Sequence, residues 1–209
     1  MVTREHILLL FSLSALLIVA GIAPRTDRLT WFLGTLPVLI ALPLLVATFS
    51  RFPLTPVSYR LIWLFCVVLV VGGHYSYAEM PLFNWLRDNY ELSRNHYDRV
   101  GHFLQGATAA IVLREILLRC TPLTRGGWLF FLVLSTSLAF SAGYALIEWG
   151  VALVSGESAA TFPGTQGNVR DTRWDMFLAL LGATTALLLF TRIQDRQLHA
   201  IDPTLSVRK

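Results

Sequence analysis

Six apolar stretches separated by short polar segments run along the chain: Ile7–Ala23, Trp31–Phe49, Leu61–Tyr77, Val100–Leu118, Trp128–Trp149 and Trp174–Thr191. A helix rising about 1.5 Å per residue needs roughly 20 mainly apolar residues to cross a hydrocarbon core about 30 Å thick. Each stretch comes near that length. The pattern predicts an all-α, polytopic transmembrane bundle of about six helices, a single integral membrane domain over residues 1–209. Trp31, Trp128, Trp149 and Trp174 sit at the ends of stretches, where an indole keeps its ring in the interface and its N–H wet. Arg4 ahead of the first stretch resembles the start of a signal peptide. Pro24 directly after Ala20-Gly21-Ile22-Ala23 is a poor residue at a cleavage point, so an uncleaved helix is expected.

Composition excludes an ordinary soluble domain, since 55% of residues are hydrophobic, only 14% are charged and the mean hydropathy is +0.58. Cys66 and Cys120 show neither CxxC nor CxxH spacing, so they offer no zinc motif and no disulfide framework. The 17 basic residues are scattered between apolar runs rather than gathered in a stripe, which argues against a nucleic-acid partner. The expected partner is the lipid bilayer. Ten of those 17 fall on the side that carries both termini, which predicts a cytoplasmic location for both ends.

Candidate chemistry gathers on the predicted outer side, in the loops 78–99 and 150–173 and the helices they feed. Asp98, His102 and Gln105 recur at i, i+4 and i+7 and share one helical face. A carboxylate one turn from an imidazole can share a metal ion, or fix the histidine tautomer so that it acts as a base. Asp171 and Asp175 repeat the one-turn spacing where the last helix begins, and Tyr144 and Glu148 do so near the end of the fifth. His102, Asp98, Glu148, Asp171 and Asp175 are therefore the candidate catalytic residues. His96, Asp98, His102, Glu148 and Asp175 are the candidate ligands of a divalent metal, with donors suited to magnesium, manganese or an open zinc site. His74, Tyr75, Tyr77 and Glu79 are placed to line the same vestibule, and Thr161–Asn168, rich in turn residues, to cover it as a lid.

A purely structural reading stands beside this one. Ionisable residues at membrane depth pair with one another. Asp98, Asp171 and Asp175 have Arg99, Arg170 and Arg173 close by in sequence, and Asp171 suits a helix start by capping alone. Arg114 and Glu115, at the other end of the fourth helix, are expected to snorkel or pair.

The residues His96-Tyr97-Asp98-Arg99, Gly101-His102-Phe103, Gln105-Gly106, Glu148-Trp149, Gly164-Thr165-Gln166-Gly167 and Asp171 with Trp174-Asp175-Met176 resemble the YjdF family of uncharacterised bacterial inner-membrane proteins. Asn168 stands where that family often has an acidic residue. The resemblance implies a multi-pass inner-membrane protein and leaves its activity open. A fainter similarity to VanZ-like membrane proteins covers helices four to six and implies a cell-envelope context. Two functional classes follow. One is an enzyme acting on an envelope lipid or cell-wall precursor through metal-activated water, since no GxSxG-type nucleophile is present. The other is a non-catalytic scaffold or binding protein, or a small proton- or cation-linked transporter. The transporter would need a homo-oligomer to supply a second half, because no inverted repeat is visible.

Overall fold

The computed structural model describes residues 3–155 and 171–203, without the side chains of 148 and 151–155. Among the described residues the chain is helical throughout. In order the helices are α1 (Arg4–Ile22), α2 (Arg28–Thr48), α3 (Pro56–Tyr75), α4 (Pro81–Asn89), α5 (Tyr97–Cys120), α6 (Gly127–Ser155) and α7 (Asp171–Ile201). The six expected stretches each lie on one long helix. The seventh helix, α4, is a short one inside the expected loop 78–99, with Pro81 at its first turn, where a missing N–H costs nothing.

Five helices, namely α1, α2, α3, α6 and α7, are long and apolar enough to cross a bilayer. The sixth, α5, has the length but is too polar to qualify on composition. It can afford that polarity because its neighbours enclose it. Asp98, His102, Arg114 and Glu115 are all buried, and α5 packs more extensively on α7 than any other helix pair packs together. By contrast α1 presents Leu8, Phe11, Val19 and Ile22 outward, as a lipid-facing helix should.

Two glycines explain how α5 and α7 come so close. A Cβ placed on Gly106 would sit 1.8 Å from the Ala179 carbonyl oxygen, and one placed on Gly182 would sit 1.9 Å from that of Phe103. Bare backbone on each helix therefore presses into the other, the small-residue packing that holds helices together in lipid, where tails are as apolar as leucine. From there towards the C-terminus of α5, Ala107, Ala110, Ile111 and Leu118 form one core with Leu129 and Val133 of α6 and with Ala183, Ala186 and Leu187 of α7. A second core joins α1, α2 and α3 through Leu13, Val38, Cys66, Leu69 and Val70.

At the far end of that first core a polar latch fixes α3 to α5 and α7. Thr55, the N-cap of α3, makes no capping bond with its own side chain. Glu115 of α5 caps the helix instead. It accepts from Thr55 N at 2.9 Å, Thr55 Oγ1 at 2.7 Å, Ser58 Oγ at 2.7 Å and Arg119 Nη1 at 2.9 Å. Arg114 donates to Gln194 Oε1 and Asp195 Oδ1, both at 2.8 Å, while Gln197 Oε1 accepts from Val57 N at 3.0 Å. The latch accounts for two boundaries that hydropathy misses. It starts α3 at Pro56 rather than Leu61, and it carries α7 ten residues beyond Thr191 to Ile201.

Candidate functional site

The opposite end of the α5–α7 pair holds the candidate site, one turn beyond the Gly106–Ala179 contact on both helices. Asn95 builds the start of α5. Its Oδ1 accepts from Tyr97 N at 3.0 Å, and its Nδ2 donates to Met80 O at 3.1 Å and Asn84 Oδ1 at 2.8 Å, which docks α4 against the helix start. The first two turns then present Asp98 and His102 on the face turned to α7, whose own first two turns carry Asp171 and Asp175.

Asp98, His102 and Asp175 converge, with one ligand atom from each lying within 4.8 Å of the others. His102 Nδ1 donates to Gln105 Oε1 at 3.0 Å. An amide oxygen can only accept, so the proton is fixed on Nδ1 and Nε2 is turned towards the carboxylates. Nε2 lies 3.6 Å from Asp98 Oδ1 and 3.6 Å from Asp175 Oδ1, too far for a good hydrogen bond. Asp175 Oδ1 is buried with no hydrogen-bond partner among the described residues. Three electron-rich atoms at these separations are reconciled by a cation among them, by a second proton on the imidazole or by a proton on one of the carboxyl groups.

Of the other sequence-derived candidates, Asp171 is buried and paired, through Oδ1, with Arg94 Nη1, while Arg94 Nη2 lies 4.0 Å from Asp98 Oδ2. The basic partner of this end is thus Arg94. The neighbours expected from the sequence, Arg99 and Arg173, do not fill that role: Arg99 stacks over the Trp174 ring at 5.1 Å and Arg173 is exposed. His96, expected as a metal ligand, stands at the N-cap position of α5 without a side-chain capping bond and is not among the three groups close enough to share one ion. Burial, with the charges of Arg99 and Arg94, holds its imidazole below the ordinary histidine range, and Asp171 pulls the other way. Glu148 lies on α6, but its side chain falls outside the described residues, as do Thr161–Asn168 and Arg170.

The expected vestibule residues do other work. His74 Nδ1 donates to Ala20 O at 3.2 Å, Tyr77 Oη donates to Gly34 O at 3.2 Å and Glu79 accepts from Asn84 Nδ2 at 3.0 Å. They tie the end of α3 to α1 and α2, and Glu79 holds α4. Arg94 is the site residue that sequence reasoning missed. Its partner Asp171 is 77 positions away, and the only local signal was a basic residue just before a polar helix start.

Fold and site together define a polytopic α-helical membrane protein with an ionisable cluster buried between two helices. The chain belongs to the family of predicted membrane proteins designated DUF2238, whose profile matches residues 5–196. It is similar to the inner membrane protein YjdF of Escherichia coli (strain K12), at 46% identity over 188 residues covering 90% of each chain. Neither match is to a VanZ-like protein. No solved structure matches the chain.

Proposed function

We propose that Asp98, His102 and Asp175 bind one divalent cation, and that the protein uses it to activate water against an envelope lipid head group or cell-wall precursor. One observation carries the reading: the 3.6 Å separations from His102 Nε2 to the two carboxylates. Ligands about 2.0–2.2 Å from a common ion at tetrahedral or octahedral angles stand roughly 3–3.5 Å apart. The pair distances are thus too long for hydrogen bonds and close to those of a shared shell. One nitrogen and two oxygens suit manganese, magnesium or zinc, and three protein ligands leave positions open for water and substrate. In the hydrolysis, water bound to the cation supplies the hydroxyl of one product and the proton of the other. The similarity to an inner membrane protein supports an inner-membrane location, and the arginine bias supports cytoplasmic termini.

The buried Arg94–Asp171 pair favours a second reading, in which His102 is an imidazolium and the cluster only locks α5 to α7. Calorimetric titration of detergent-purified protein with Mn²⁺ separates the two. Wild type should bind one equivalent. His102→Ala and Asp175→Asn should lose binding, and Gln105→Leu, which frees the imidazole to rotate, should weaken it about 10- to 100-fold. Wild-type protein that is folded and binds no divalent ion returns the cluster to the locking role.

A further inference from the structure

Beside the three proposed cation ligands in sequence, the start of α5 carries two nitrogen atoms that find no counterpart among the described residues. Arg99 Nε and His96 Nδ1 are both buried and have no hydrogen-bond partner. Being three residues apart, they share one face of the helix start. The Arg99 guanidinium lies over the ring of Trp174, the residue that precedes Asp175 in the chain. Arg94, buried between Asp171 and Asp98, brings a second guanidinium to the same end. A buried donor without an acceptor is destabilising, and an arginine is the side chain best suited to offset that on the oxygens of a phosphate.

We infer that Arg99 and His96 form a phosphate-binding subsite beside the Asp98, His102 and Asp175 cation site, so that the ligand of this end is a phosphate ester. The inference rests on the proposed cation reading and narrows it. A cation shared by two carboxylates and one imidazole binds phosphate oxygens from one side, and Arg99 with His96 takes oxygens on the other. An uncharged sugar would leave Arg99 without a charged pair of acceptors, and a carboxylate, whose two oxygens match one guanidinium, has none left for the cation.

The test uses the full chain in detergent, loaded with Mn²⁺ and titrated separately with inorganic phosphate and dihexanoyl phosphatidic acid; dihexanoylglycerol serves as the phosphate-free control. At least one phosphate probe should bind and the diacylglycerol should not. Arg99→Gln should weaken phosphate binding about tenfold or more while leaving Mn²⁺ affinity and thermal midpoint unchanged. Arg173→Gln, at an exposed arginine on the same turn of α7, should bind as wild type does. Binding of the lipid probe alone identifies a lipid head group as the source of the phosphate. Binding of both supports a general phosphate site. Phosphate affinity equal in Arg99→Gln and wild type, or no phosphate binding while Mn²⁺ is bound, overturns the subsite and leaves the cation reading intact. Absence of Mn²⁺ binding overturns the cation reading, and Arg99-dependent phosphate binding without it would keep the subsite alone.

Discussion

Glu115→Ala should be among the most damaging single substitutions in the chain, lowering the thermal midpoint in detergent by on the order of 10 °C. Glu115 is fully buried, and its carboxylate accepts from Thr55 N and Oγ1, Ser58 Oγ and Arg119 Nη1. Removing it takes the shared acceptor from Thr55 N, Thr55 Oγ1 and Ser58 Oγ and the charge partner from half-buried Arg119, which keeps Pro53 O and the Phe52 ring, a loss of about 3 kcal/mol for breaking a buried charge pair. Glu115→Gln keeps the volume and one acceptor oxygen, so it should cost less than the alanine. Glu115 is 17 residues from Asp98, about 25 Å along α5. Protein that remains folded should therefore keep its Mn²⁺ affinity. An unchanged midpoint in Glu115→Ala would show that water, rather than the latch, satisfies the start of α3.

Gly106→Ala should affect both stability and the site. The added methyl would lie 1.8 Å from the Ala179 carbonyl oxygen, and that atom belongs to a helix backbone which cannot rotate away. The helices must separate, at a cost of about 1–3 kcal/mol. The geometry makes this more than an overpacking loss. Gly106 is one turn from His102 on α5 and Ala179 is one turn from Asp175 on α7, so separating the backbones separates the ligands. Mn²⁺ affinity is expected to fall at least tenfold alongside the midpoint. Gly143 of α6 is the matched control, since a Cβ there meets nothing within 4 Å. Gly143→Ala should leave Mn²⁺ binding as it is and hold or slightly raise the midpoint. Equal behaviour of the two alanine variants would mean that the α5–α7 approach does not set the site.

Hydropathy made most of the fold legible because lipid imposes a length and a polarity on any exposed helix. The helices that face lipid most, α1 and α2, follow their apolar stretches to within a few residues. Legibility fades where burial replaces lipid. The last ten residues of α7 are helical because Gln194, Asp195 and Gln197 serve α3 and α5, a tertiary reason with no local trace. The short helix α4 depends on Asn95 from the following loop. Within the site, the i, i+4 spacing placed Asp98 and His102 on one face, and the helix start of α7 supplied Asp175. The role of Arg94 and the exclusion of His96 from the ligand trio needed the three-dimensional arrangement. The two interlocking glycines left only a faint signal, small residues at Gly106 and Ala110 of α5 facing Ala179, Gly182, Ala183 and Ala186 of α7.

The most direct measurement is electron spin-echo spectroscopy of Mn²⁺-loaded protein in which histidine nitrogen is replaced by ¹⁵N. A Mn²⁺ ion held by His102 and the two carboxylates should show coupling to one imidazole nitrogen, and that coupling should disappear in His102→Ala while His96→Ala retains it. Bound Mn²⁺ with no nitrogen coupling, or coupling that survives His102→Ala, would contradict a cation site built on Asp98, His102 and Asp175.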